Sequence, residues 1–122
     1  MTPARLRKAC LALAGAEETF PCDADNSVFK VGGKIFAIAP LKRKPLRVSL
    51  KCDPPLALGL RAAHPEIIPG YHLNKQHWNT VMLDGNLPDE MVVQMIEDSY
   101  DLVVSKLPKS TQRALGWSPA VD

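Results

Sequence analysis

Residues 28–39 limit the folds open to this chain more than any other stretch. Two apolar runs, Val28–Val31 and Lys34–Ala39, flank the pair Gly32-Gly33. Consecutive glycines accept the positive φ angles of a type I′ turn, and that turn joins neighbouring antiparallel strands. The pattern therefore predicts a β-hairpin, and an antiparallel sheet around it.

The hairpin and two further runs predict four strands. The predicted register pairs Phe29 with Phe36 and turns Ile38 to the same apolar face. Leu46–Cys52 alternates between apolar and polar residues, which is typical of a strand with one solvated face. Trp78–Leu83 is rich in β-branched and apolar residues and precedes a turn. On the strand 46–52, the outward side chains would be those of Arg47, Ser49 and Lys51.

Three helices are predicted around these strands. Thr2 and Asp53 stand in N-cap positions, and Pro88 begins the third and longest helix. The order α-β-β-β-α-β-α predicts an α+β fold in which helices cover one face of an antiparallel sheet. Residues 1–109 are expected to form one domain, and residues 110–122 a flexible C-terminal tail.

Composition narrows the class of protein. A basic N-terminus followed by a short apolar stretch resembles a signal peptide, but it also suits an amphipathic helix, which we favour. No apolar run is long enough to cross a bilayer.

The three cysteines Cys10, Cys22 and Cys52 are an odd number without Cys-x-x-Cys spacing, which argues against a disulfide framework or zinc ribbon. We expect a cytoplasmic monomer with no membrane, metal or cofactor.

Charge is distributed unevenly along the chain. Residues 1–52 hold ten Lys and Arg against four Asp and Glu, a balance of +6. Residues 53–122 hold five against nine, a balance of −4. A basic half favours a polyanionic partner, although folding can also interleave the two halves or leave the cations on an ordinary solvated surface.

Four motifs resemble the MmcQ/YjbR family. They are Val28–Ala37, Val48–Pro54, Gly70–Lys75 with His77–Val81, and Asp98–Lys109, and the resemblance extends from Leu6 to about Lys109. It implies a CyaY-like (frataxin-like) fold with a "double wing" that binds DNA. In that family, the loop before the third strand is often less basic than Lys42-Arg43-Lys44 is here. The resemblance therefore implies no function for these three residues.

The first functional hypothesis is a DNA-binding protein, with cations on hairpin and loop wings that contact phosphates. Such contacts predict weak, salt-sensitive binding with little sequence specificity. Tyr71 or Trp78 could also stack on an unpaired base, although a core role is the expected one for Trp78. The candidate phosphate-binding residues are Lys30, Lys34, Lys42, Arg43, Lys44, Arg47 and Lys51, together with Lys75, which the family resemblance adds.

The alternative is a small-molecule or protein-binding module built on the stretch 71–83, in which polar donors and aromatic residues mix most closely. Cationic and amide donors suit a carboxylate or phosphate. The same side chains could instead satisfy turn backbone. The candidate ligand-binding residues are His72, Asn74, Lys75, His77 and Trp78.

Two other functions are not favoured. Iron binding of the frataxin type needs an acidic first helix, but this one carries Arg5, Arg7 and Lys8. The sequence contains no Gly-rich phosphate loop or nucleophile elbow, so we expect a binding protein and not an enzyme.

Overall fold

The computed structural model of the chain describes residues 1–22 and 24–119, and these contain four helices and six strands. The α+β class is therefore as predicted. In chain order the elements are α1 (Pro3–Leu11), β1 (Glu17–Thr19), β2 (Ser27–Val31), β3 (Lys34–Ala39), β4 (Arg47–Lys51), α2 (Pro54–Ala63), β5 (Ile67–Pro69), β6 (Trp78–Met82), α3 (Asp89–Val104) and α4 (Lys109–Ala114).

The strands form one sheet in the order β1-β2-β3-β4-β6-β5, and every neighbouring pair is antiparallel. The edge strands β1 and β5 are additions to the predicted order α-β-β-β-α-β-α. Each has three residues, which is too short to give a recognisable alternation. Pro69 suits an edge position, because proline has no N–H to donate to a further strand.

The hairpin turn is as predicted, but the register beyond it is not. Gly32 and Gly33 have φ angles of 57° and 79°, and Val31 pairs with Lys34. The register then shifts, so that Phe29 pairs with Ala37 and not with Phe36. The shift leaves Phe36 as the extra residue of a β-bulge. The predicted Phe29–Phe36 pair is therefore wrong.

The same bulge changes the face on which Ile38 lies. Phe36 is fully buried and its ring meets Tyr100 of α3 edge-on, with the centroids 5.5 Å apart. Ile38 pairs with Val28 and Ser49, whose side chains lie on the opposite face of the sheet from Phe29. Ile38 therefore lies away from the core to which the sequence assigned it.

Helix α3 packs against β3 and β4 and supplies much of the core. Ser99, which is fully buried, joins the two strands through one hydroxyl group. Its Oγ donates to the Phe36 carbonyl at 2.6 Å and accepts the Lys51 N–H at 2.8 Å. These bonds explain how the sheet can carry a bulge at Phe36, since the displaced carbonyl finds a partner on the helix.

The segment predicted as a flexible tail, residues 110–122, includes most of a short helix within its described part, residues 110–119. Residues 109–114 form α4, and Gln112 is 4% exposed. The Gln112 amide donates to the carbonyls of Val104 and Leu107 at 3.0 and 3.2 Å, which satisfies backbone acceptors where α3 ends. Residues 120–122 of the predicted tail lie outside the described residues.

Within the described ranges, no helix has the length and apolar character needed to span a bilayer. Every buried side-chain nitrogen or oxygen in those ranges has a hydrogen-bond partner.

Candidate functional site

The two faces of the sheet differ in chemistry. On β4, Val48 and Leu50 are buried in the core with residues of α3. Arg47, Ser49 and Lys51 alternate with them and so point to the opposite face. Cross-strand pairing extends this second face, which we call the cleft face, over neighbouring strands. Its central residues are Val28, Ile38, Ser49 and Thr80.

The loop 70–77 between β5 and β6 is fixed to the cleft face by a short chain of hydrogen bonds. The Tyr71 N–H donates to Thr80 Oγ1 at 2.9 Å, and Thr80 Oγ1 lies 2.8 Å from Ser49 Oγ. The Gly70 N–H donates to the Trp78 carbonyl at 2.8 Å. These buried hydroxyls hold the backbone of Tyr71 against the sheet.

Arg61 of α2 supports the same loop from the other side. Its Nε donates to Asn79 Oδ1 at 2.7 Å, and one terminal nitrogen donates to the Trp78 carbonyl at 3.3 Å and also to the Lys75 carbonyl. Arg61 could not be selected from the sequence, because a single arginine on a helix does not disclose contacts with a distant loop.

A cleft with a volume of about 400 Å³ opens beside this loop. Its floor consists of Val28, Ile35 and Ile38 on β2 and β3, and its rim includes Arg43 and Arg47. The volume lies within the range of about 300–1,000 Å³ that small-ligand sites commonly have. An apolar floor with a cationic rim suits a flat, apolar group that carries negative charge.

Tyr71 forms the aromatic wall of the cleft. The Arg47 guanidinium carbon lies 5.1 Å from the centroid of the Tyr71 ring, within cation–π range. The rings of Tyr71 and His72 are 4.1 Å apart between centroids, and His72 has a φ angle of 57°. Tyr71 remains 55% exposed, so its ring is accessible despite both contacts.

The structure brings four of the eight predicted phosphate-binding cations to the cleft face or its rim. Arg43 and Arg47 line the cleft. Lys51 lies on the same face, with its ammonium 5.9 Å from the Trp78 ring centroid. Lys30 pairs with Ile35 and therefore shares that face as well.

The other four cations are placed differently. Lys34 pairs with the buried Val31 and so lies on the α3 side of the hairpin tip. Lys42 forms an exposed ion pair with Asp25 at 3.7 Å, and Lys44 precedes a cis proline in the same exposed loop. Lys75 donates to the Gly70 carbonyl at 3.0 Å, which ties it to its own loop.

The five residues of the alternative ligand site do not converge. His72 lines the cleft. Asn74 accepts the Gln76 N–H at 2.9 Å, as turn chemistry predicts. His77 lines a separate pocket of about 180 Å³ with Lys51 and Lys106. Trp78 is half-buried on β6, where Lys51 covers its ring.

The cysteines differ in their surroundings. Cys10 is fully buried, and burial together with the Glu18 carboxylate raises the pKa of its thiol to about 12. Burial, followed by Asp53 and Asp98, also raises the pKa of the half-buried Cys52. Cys22 is exposed and lines the cleft. In the part of the chain that the structure describes, no three His, Cys, Asp or Glu residues are grouped as metal ligands would be.

The fold and the site together define an α+β protein whose antiparallel sheet carries an arginine-rimmed cleft. The chain belongs to the YjbR family, whose sequence model matches residues 11–102. The resemblance seen in the four sequence motifs is thereby confirmed.

Relatives and solved structures agree on this family. The chain is 38% identical over 115 residues to the uncharacterized protein YjbR of Escherichia coli K12, covering 94% of this chain and 98% of that protein. It is 36% identical over 107 residues to the uncharacterized protein YbdF of Escherichia coli O157:H7, covering 88% of each. A crystal structure of a Deinococcus radiodurans protein with the domain DUF419 matches with a TM-score of 0.89 and 42% identity, covering 99% of this chain and 92% of that one.

Proposed function

We propose that the protein binds nucleic acid through the cleft face, with Arg43 and Arg47 as the main phosphate contacts. The observation that carries the proposal is the position of Arg47, whose guanidinium is held over the Tyr71 ring at the rim of an apolar cleft. A stacked guanidinium keeps its outer N–H groups available, and their planar arrangement matches a phosphate.

The distribution of charge on this face supports a polyanion over a single small anion. Lys51 and Lys30 extend the positive charge beyond the cleft along the same side of the sheet. Among the described residues, Asp25 lies beside Lys42 and Glu17 lies opposite Lys30 on the edge strand β1, so these two carboxylates are at the margins of the face. An extended row of cations fits the repeated phosphates of a strand.

The expected binding is weak and depends little on sequence. The side chains that face the cleft are mostly apolar or cationic, so they offer few hydrogen-bond patterns that distinguish one base from another. The CyaY-like arrangement with a double wing, the monomeric state, the cytoplasmic location and the absence of catalysis remain predictions alongside this proposal.

Fluorescence anisotropy with a labelled duplex and a labelled single strand, titrated between about 50 and 200 mM salt, tests the proposal. We expect the double variant R43A/R47A to weaken binding and to reduce the slope of log K against log salt. The reduction should be about 0.9 on duplex DNA for each phosphate contact that is lost.

The double variant K34A/K109A is the matched control, because it removes the same charge from exposed positions away from the cleft. Its salt slope should equal that of the wild type. Equal losses in the two double variants would show that binding depends on net charge alone, and would contradict a role for the cleft face.

A further inference from the structure

We propose that the cleft beside Tyr71 receives one unpaired nucleobase, so that the protein prefers single-stranded to duplex nucleic acid. This inference rests on the proposed function and adds to it a recognition element that phosphate contacts do not supply. A base of a regular duplex is stacked between its neighbours and paired at its edge, so it cannot enter a cleft in the protein surface.

The walls of the cleft have the chemistry of a base-binding site. Val28, Ile35 and Ile38 present an apolar floor, and Tyr71 presents an exposed ring beside it. A nucleobase has two apolar faces and a polar edge, and stacking on an aromatic side chain is favourable for every base. The cleft therefore accepts a base without selecting which one.

The polar groups lie where the rest of a nucleotide would be. Arg43 and Arg47 line the same cleft as the apolar floor, so a phosphate next to an inserted base would meet positive charge. Ser49 and His72 also line the cleft and offer hydrogen-bonding groups to the edge of a base. A purely apolar ligand has no negative charge and would therefore form no ion pair with Arg43 or Arg47.

Tyr71 is held in place before any ligand arrives. Its N–H is bonded to Thr80 Oγ1 at 2.9 Å, and its ring contacts the Arg47 guanidinium and the His72 ring while Tyr71 as a whole stays 55% exposed. A preformed wall lowers the entropic cost of binding, because little side-chain ordering remains to be done. A mobile surface tyrosine would be a poorer stacking partner.

An oligothymidine and an abasic strand of the same length separate the base from the phosphates. The abasic strand keeps every phosphate but has no base to insert. We expect wild-type protein to bind the oligothymidine at least about 5-fold more tightly, the lower limit for stacking one base on an aromatic side chain. Both strands should show the same salt dependence, since their phosphate contacts are shared.

Ile38→Phe fills the floor of the cleft without removing a cation. This variant should bind the two strands equally, at the affinity of wild type for the abasic strand. Leu58→Phe, at a residue of α2 that is 64% exposed, is the matched control and should retain the preference. Thermal unfolding of each variant establishes that it is folded before its binding is compared.

A second readout does not depend on any variant. A strand with one 2-aminopurine should change its emission when the base leaves its neighbours and meets Tyr71. Equal affinity of wild type for both strands, or an unchanged emission at saturation, would overturn base insertion and leave phosphate binding in place. Failure of both strands to bind would overturn the proposed function and this inference together.

Discussion

The guanidinium of Arg47 on β4 and the ring of Tyr71 in the loop 70–77 are 5.1 Å apart, although they are distant in the sequence. This contact joins the sheet to the loop and sets one wall of the cleft. A cation–π contact at an exposed site contributes about 0.5–1 kcal/mol. The pair therefore has both a structural role and a role in the proposed binding.

The first prediction concerns the coupling between these two residues. In a double-mutant cycle of Arg47→Met and Tyr71→Leu, we expect the free energies of unfolding to be non-additive by about 0.5–1 kcal/mol. Urea denaturation of the wild type, the two single variants and the double variant measures these free energies. A parallel cycle of Tyr71→Leu with Arg113→Met, on the exposed surface of α4, should be additive. Additivity in both cycles would rule out a contact in solution.

The second prediction concerns Arg61 as the support of the loop. Arg61→Met keeps much of the side-chain volume but removes the bond to Asn79 Oδ1, and Asn79 is only 3% exposed. Leaving that oxygen without its donor should cost about 1–3 kcal/mol of unfolding free energy. Amide exchange should also accelerate in residues 70–77, because the carbonyls of Lys75 in the loop and of Trp78, the first residue of β6, lose the same donor.

Arg113→Met serves again as the control for Arg61→Met, since both changes remove one guanidinium. It should change the unfolding free energy by less than about 0.5 kcal/mol. If the two variants are equally stable, Arg61 does not hold the loop.

The third prediction concerns Ser99, which joins α3 to β3 and β4. Ser99→Ala removes the donor to the Phe36 carbonyl and the acceptor of the Lys51 N–H. We expect a loss of about 1–3 kcal/mol in urea denaturation, since both groups are left without this partner. Ser105→Ala, which removes an exposed bond to Leu102, should have a much smaller effect. Similar losses in the two variants would contradict the account of the bulge.

The fourth prediction concerns Cys10 and alkaline pH. Burial first, and Glu18 second, raise the thiol pKa from 9.0 to about 12, so the folded state keeps a proton that the unfolded state releases. The resulting stabilisation is complete below about pH 9 and is lost as the pH rises towards about 12. Tyr100 acts in the same direction, since burial and Asp101 raise its pKa as well.

Cys10→Ala should therefore reduce the loss of unfolding free energy between about pH 9 and pH 12. Cys22→Ala, at an exposed position, should leave that loss unchanged. Urea denaturation at several pH values measures both. An identical pH dependence in wild type and Cys10→Ala would show that the thiol does not ionise differently on folding.

The sequence predicted the parts of the fold that local chemistry determines. Two glycines are enough to set the hairpin turn, and the Thr2 side chain accepts the Arg5 N–H as an N-cap should. The bulge at Phe36 was missed because it depends on a partner in α3, and a strand carries no signal of a helix packed against it.

The candidate site was predicted only in part, for the same reason. Arg47 and Arg43 could be selected as cations from composition and alternation. Their association with Tyr71 depends on the fold of the loop, which is fixed by Thr80 and by Arg61 of α2. Those contacts are long-range, and a periodic pattern within one element cannot disclose them.

The most direct test of the cleft face as a nucleic-acid surface is a map of amide chemical shifts, measured as ¹⁵N-labelled protein is titrated with an oligothymidine. We predict that the largest changes occur at Arg43, Arg47, Tyr71 and His72, with little change in α4. Shifts confined to α3 and α4, or no shifts at a saturating concentration of the strand, would contradict the account.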